Sequence, residues 1–178
     1  MESDAAVHPG QPASAGAADA AVTALYQAHA LGLIRLAYLM LGDASAAEDV
    51  VQEAFTGLYR RWAHLSDPAK ALPYVRSSVL NACRTQLRRL GQRPPGAGQL
   101  PPPAISAEAA ALSGEDRRAV LSALRRLPDR QREVLVLRYY LDLPEAEIAA
   151  AMGIGPSTVR STAHRALAAL GRLLEEQS

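Results

Sequence analysis

Three groups of polar side chains recur at helical spacing in this chain, and each suits a different chemistry. Ser157, Thr158, Arg160, Ser161, His164 and Arg165 fall on one side of a helix, opposite Val159, Ala163, Ala166, Leu167, Leu170 and Leu174. Arginine can pair bidentately with guanine, and short hydroxyls can bond base edges or phosphates, so such a face near a helix N-terminus fits the DNA major groove. Ser77, Asn81, Arg84 and Arg88 recur at i, i+4, i+7 and i+11, with Ser78 and Thr85 beside them and Lys70 just upstream. Asparagine and arginine can read bases and an arginine cluster attracts phosphate, although spacing alone fits a solvated basic face equally well. Glu48, Asp49, Gln52 and Glu53 make an acidic face. Carboxylates so grouped could hold a metal or act as an acid/base pair. No histidine accompanies them, however, and nothing nearby would desolvate a carboxylate and raise its pKa. A solvated face is the plainest reading, and a docking surface for a basic protein comes next.

The elements that must position these groups are helical throughout. From Leu143 to Leu174 the run LPEAEIAAAMGIGPSTVRSTAHRALAALGRLL reads as two helices meeting across a short glycine-containing turn, the helix-turn-helix pattern. Ala149 is small where the helices must cross closely. Gly153 can take the positive φ that the turn needs, and Pro156 falls in the first turn of the next helix, where its missing N–H is harmless. Ile148, Met152, Ile154 and Val159 fill the wedge between the helices. These offsets shift the reading from an ordinary helical hairpin to DNA binding. Upstream, Leu25 to Leu41 is apolar almost all round, as expected of a helix contacted on several sides. Asp43 is placed to cap a second helix, whose stripe is Ala47, Val50, Val51, Ala54, Phe55, Leu58 and Trp62. A turn at 66–68 precedes a third helix, from Ala71 or Pro73 to Leu90, with an inward face of Leu72, Val75, Val79, Ala82, Cys83 and Leu90.

The expected organisation is therefore all-α: two small helical domains, an N-terminal bundle and a C-terminal helix-turn-helix bundle, joined by a flexible linker. Residues 1–22 lack a helical stripe and bulky apolar groups and read as a disordered tail. Residues 23–90 form the first domain. Residues 91–114, rich in proline and glycine, form the linker, which as a flexible chain would average about 25 Å end to end. Residues 115–175 form the second domain.

Composition narrows the function further. The 178 residues carry 19 Lys and Arg against 18 Asp and Glu, so a net charge of +1 conceals separate acidic and basic patches. Separated patches imply more than one charged partner. No uninterrupted apolar run approaches the length of a membrane span, and no secretory leader pattern opens the chain. With a single cysteine, the default is a reducing compartment and a cytoplasmic location. Cys83 reads as a small core residue rather than a redox sensor, Trp62 as a packed residue at the end of its stripe, and Tyr139 and Tyr140 as core and support residues of the C-terminal bundle. His8, His29 and His64 are scattered, so no zinc is expected. No phosphate-cradling loop or nucleophile pattern occurs. Neither catalysis nor a cofactor, metal or small-molecule substrate is expected.

AEDVVQEAFTGLYRRW (47–62), PYVRSSVLNACRTQLRR (73–89) and LPDRQREVLVLRYYLDLPEAEIAAAMGIGPSTVRSTAHRALAAL (127–170) occur in this order. Their combination resembles bacterial RNA polymerase sigma factors of the extracytoplasmic-function (ECF) group, those of the actinobacterial sigma-E-like kind among them. The resemblance implies a protein that binds core RNA polymerase, directs it to promoters by recognising the −10 and −35 elements, and promotes initiation. It implies that Glu48, Asp49, Gln52 and Glu53 grip the coiled coil of the polymerase β′ subunit. Lys70, Ser77, Asn81, Arg84 and Arg88 would serve the −10 element, and Ser157, Thr158, Arg160, Ser161, His164 and Arg165 the −35 element. An anti-sigma protein is an expected further partner. The competing reading is a helix-turn-helix operator-binding regulator that never becomes a polymerase subunit. It predicts tight DNA binding by the isolated chain.

Overall fold

The computed structural model describes residues 12–65, 67–90 and 114–176. Residues 1–11 of the expected tail and 91–113 of the expected linker lie outside the described residues. Among the described residues all regular structure is helical. A first unit comprises α1 (Pro12–Leu41), α2 (Ala44–Arg61) and α3 (Ala71–Leu90). A second comprises α4 (Gly114–Arg126), α5 (Asp129–Leu135), α6 (Glu145–Met152) and α7 (Pro156–Glu175).

The apolar character of α1 on all sides has a direct cause, since it packs on α2 and α3 of its own unit and on α4 and α5 of the other. Leu33, Leu36, Ala37 and Met40 are buried in that contact. By length and composition the stretch Gly16–Leu41 could also cross a bilayer. This corrects the expectation that no such segment exists, which rested on uninterrupted runs alone. In this fold it is the core helix shared by both units. A second correction concerns the tail boundary at residue 22, which falls inside α1. Ala18 and Val22 are buried, and Asp19 accepts a hydrogen bond from the Tyr59 hydroxyl of α2. Alanine has the highest helix propensity, and small side chains pack closely on a neighbour without a bulky stripe to announce it.

Gly42 takes φ +76°, and Asp43 then caps α2, its carboxylate accepting from the Ala46 N–H at 2.8 Å. Such a cap contributes about 1 kcal/mol. The α2 stripe is buried as its spacing predicts, from Ala47 to Leu58. Two short 3₁₀ turns, Trp62–His64 and Pro68–Lys70, lead to α3, the second capped by Asp67 through the Ala69 N–H at 2.9 Å. On α3, Val75, Val79 and Cys83 are buried as expected, and so is Leu80.

In the second unit α5 runs into a π-helical segment, Val136–Tyr140, whose wide turn closes with the Leu141 N–H on the Val136 carbonyl at 3.2 Å. The extra residue per turn advances the register and turns the two tyrosines outward. Tyr139 is 60% exposed and Tyr140 36%, so the expectation that they belong to the core is corrected. Behind them Arg132 is buried and caps α4, donating to the carbonyls of Leu124, Arg125 and Leu127. It also reaches across to the Met40 carbonyl at the end of α1. Burial lowers the Arg132 pKa below its usual value; Asp129 opposes that shift and Arg125 adds to it. The buried residues of the two units join in one continuous apolar cluster.

Candidate nucleic-acid and protein interfaces

The C-terminal hairpin is built as its sequence pattern requires. α6 ends at Gly153, with φ +65°, and the Ile154 N–H returns to the Ala149 carbonyl at 3.1 Å. Gly155 precedes α7 and Pro156 opens it. Ile148, Met152 and Val159 are buried between the helices, and Ala163 and Ala166 continue the inward face. Thr162 joins them, while Leu167, assigned inward by spacing, is 43% exposed. Ser157, Thr158, Arg160, Ser161, His164 and Arg165 are all exposed together on the outward side. Arg165 donates to the Ser161 carbonyl at 3.2 Å, and Arg160 Nε lies 3.3 Å from Glu145 Oε1 at the start of α6. Glu145 was not among the residues picked out by pattern; an acid in a first helical turn has too ordinary an explanation to stand out.

In the first unit the acidic face is equally open, with Glu48, Asp49, Gln52 and Glu53 all exposed on α2. An open groove separates Asp49, Gln52 and Glu53 of α2 from Asn81, Thr85 and Arg89 of α3. Of the predicted −10 residues only Asn81 lines this groove. Lys70, Asn81 and Arg88 are exposed, whereas Ser77 and Arg84 are half-buried. Arg84 is drawn toward the second unit. It donates to both carboxylate oxygens of Glu133 and to the Ala151 carbonyl at 3.0 Å, as well as to Asn81 Oδ1 at 2.7 Å. Arg76 makes a second bridge, to Glu147 of α6 at 3.0 Å. Glu133 itself is only 1% exposed. No sequence signal singled it out: Glu133 closes the polar stretch DRQRE (129–133), which reads as an ordinary solvated first turn.

Cys83 is fully buried on α3, and desolvation first, then the Glu133 charge, pushes its thiol up to about 12. That environment suits a packing residue. Among the described residues no group of three or more His, Cys, Asp or Glu is arranged to hold a metal ion.

Comparison with known proteins identifies both units. Sigma-70 region 2 matches residues 25–93 and Sigma-70 region 4 matches residues 117–170. The RNA polymerase sigma-E factor of Streptomyces avermitilis is 36% identical over 148 residues, which is 82% of this chain and 80% of the relative. The chain belongs to the sigma-70 family of RNA polymerase sigma factors, in the ECF group. The ECF RNA polymerase sigma factor SigL of Mycobacterium tuberculosis is 34% identical over 171 residues, 91% of this chain and 94% of SigL. In fold, the sigma factor RpoE solved in complex with the anti-sigma factor NepR from Bartonella quintana is similar, with a TM-score of 0.65 at 23% identity over 85% of this chain and 96% of that one. This sigma factor is thus a promoter-directing factor for RNA polymerase. The match to region 2 sets aside the operator-binding alternative, which accounts only for the C-terminal hairpin. α2 and α3 form most of region 2, and α4 to α7 most of region 4.

Proposed function

We propose a division of labour among the three faces. The exposed acids of α2, Glu48, Asp49 and Glu53 with Gln52, dock on the β′ coiled coil of core RNA polymerase. The polar side of α3, with Lys70, Ser77, Asn81, Arg84 and Arg88, captures the −10 element as the duplex opens. The outward face of α7, from Ser157 to Arg165, reads the −35 element in the major groove. The observation that carries this reading is exposure: the four α2 side chains and all six α7 side chains are open on the surface, and Asn81 of α3 shares a groove with Asp49, Gln52 and Glu53. Docking on α2, beside Asn81, brings the polymerase next to the bases it must open.

The chain acts by binding energy, the phosphodiester chemistry belonging to the polymerase, and it works in the cytoplasm, where the polymerase is. An anti-sigma protein is a further partner, as a similarly folded sigma factor is bound by one. Run-off transcription with purified core enzyme on a genomic library, followed by mapping of the transcript starts, tests the proposal. Starts preceded by a shared pair of sequence elements are expected. Absence of chain-dependent starts would overturn it.

A further inference from the structure

The two arginines on the outward face of α7 are both held at their inner nitrogen. Arg165 donates Nε to the Ser161 carbonyl at 3.2 Å, and Arg160 Nε lies 3.3 Å from Glu145 Oε1 at the start of α6. Among the described residues the terminal nitrogens of both guanidinium groups show no partner. A fork held at Nε and open at its tips is prepared to meet two acceptors on one base edge, because bidentate recognition depends on orientation set in advance.

The two holding groups differ in charge, and that difference bears on what each arginine accepts. A carbonyl leaves Arg165 its full positive charge, whereas a carboxylate offsets that of Arg160. An arginine so offset is a poorer partner for phosphate, whose attraction is mainly charge, and the carboxylate itself repels the DNA backbone. Hydrogen bonds to neutral acceptors such as guanine N7 and O6 depend on direction instead and are retained. Glu145 is well placed for this. It is the first residue of α6, where a helix N-terminus favours an acid, and it is 32% exposed against 67% for Arg160. The reading side chain is open and the one behind it is sheltered. Glu147, two residues on, pairs with Arg76 of α3 instead. An exposed ion pair adds little to stability, so the consequence of this one lies in where it sets the guanidinium.

We infer that Glu145 is a positioning residue for −35 recognition: it presents Arg160 to a guanine edge and turns it away from phosphate. The inference rests on the assignment of α7 to the −35 element.

The test measures binding of the holoenzyme, reconstituted from core polymerase and the full chain, to mapped promoters with each −35 base pair changed in turn, at low temperature before the strands open. Arg160→Ala should relax preference at one base pair. Glu145→Ala should relax the same pair about tenfold, within the range that one bidentate contact discriminates. Its binding to promoters altered at that pair should be unchanged or tighter, and the salt dependence should steepen by about one phosphate contact as the released arginine meets the backbone. A carboxylate that only supported the hairpin would weaken binding to matched and altered promoters alike. Glu145→Gln keeps the side-chain length and removes the charge. It guards against a folding defect and should show the same pattern at about threefold, a charge-assisted contact being about twice as strong as a neutral one. In an Arg160→Ala background, Glu145→Ala should change preference at no base pair. Undiminished preference in Glu145→Ala at the pair that Arg160→Ala relaxes, or an equal loss on matched and altered promoters, would overturn the positioning role and leave the −35 assignment standing. If Arg160→Ala relaxes no pair, the assignment of Arg160 to the −35 element falls, and the role of Glu145 with it.

Discussion

The two surfaces proposed to face the promoter are held in different ways. On α7, the six side chains from Ser157 to Arg165 assigned to the −35 element are exposed, and the contacts of Arg160 and Arg165 stay within one helical hairpin, to Glu145 and to the Ser161 carbonyl. On α3, Arg84 and Arg76 reach across to another unit, to Glu133 and Glu147. A face assembled from one hairpin keeps its geometry wherever that hairpin goes. A face whose arginines are shared between two units is available only in some arrangements of those units. If α7 reads the −35 element and α3 the −10 element, as proposed, the first depends on local structure and the second on how the units are packed.

The strongest way to break this comparison is to deny both faces their platform. Asp49→Arg combined with Glu53→Arg should abolish co-elution with core polymerase while circular dichroism shows unchanged helicity, because both positions are exposed and opposite the buried stripe. Co-elution of the double variant at wild-type level would show that polymerase docks elsewhere. Next in size is Arg132→Ala. It leaves three carbonyls at the end of α4 and one at the end of α1 without their buried donor, and should lower stability by about 3–5 kcal/mol in urea unfolding. A loss below about 1 kcal/mol would mean that the seam does not depend on this side chain.

Arg160→Ala sharpens the contrast at smaller scale. It should weaken promoter binding by about 1–3 kcal/mol and relax preference at one −35 base pair. Because the α7 face is open in the free chain, the loss should be the same with and without polymerase. An equal loss on every sequence would instead make Arg160 a phosphate contact. The smallest effect concerns Cys83, whose thiol, raised to about 12, stays protonated near pH 8. Its reaction with a disulfide reagent at that pH should be slow in the folded chain and in Glu133→Gln alike, and become fast only in denaturant. Fast labelling of Glu133→Gln alone would mean that the Glu133 carboxylate helps keep the α3 core closed.

Much of the fold was legible because its signals are local. The stripe from Ala47 to Leu58, the Asp43 cap, and the Gly153 and Pro156 punctuation of the hairpin each depend on residues within a few positions of one another. The three polar groups were legible for the same reason, since helical spacing alone places them on faces. Local pattern failed where packing decided the outcome. The alanine-rich start of α1 has no stripe to read, yet it packs on α2. The tyrosines after Arg138 lie in register with the core until the π turn rotates them away.

Sequence by itself determined that the chain is helical, where α2, α3 and the two hairpin helices begin, and which residue types line each face, because capping, propensity and periodicity act over one or two turns. Only the tertiary structure decided that Glu133 is buried beneath Arg84 and that Arg132 ties α4 to α1. Those contacts join residues dozens of positions apart, and a buried charge is tolerated only where a distant partner is brought to meet it, which no local spacing encodes.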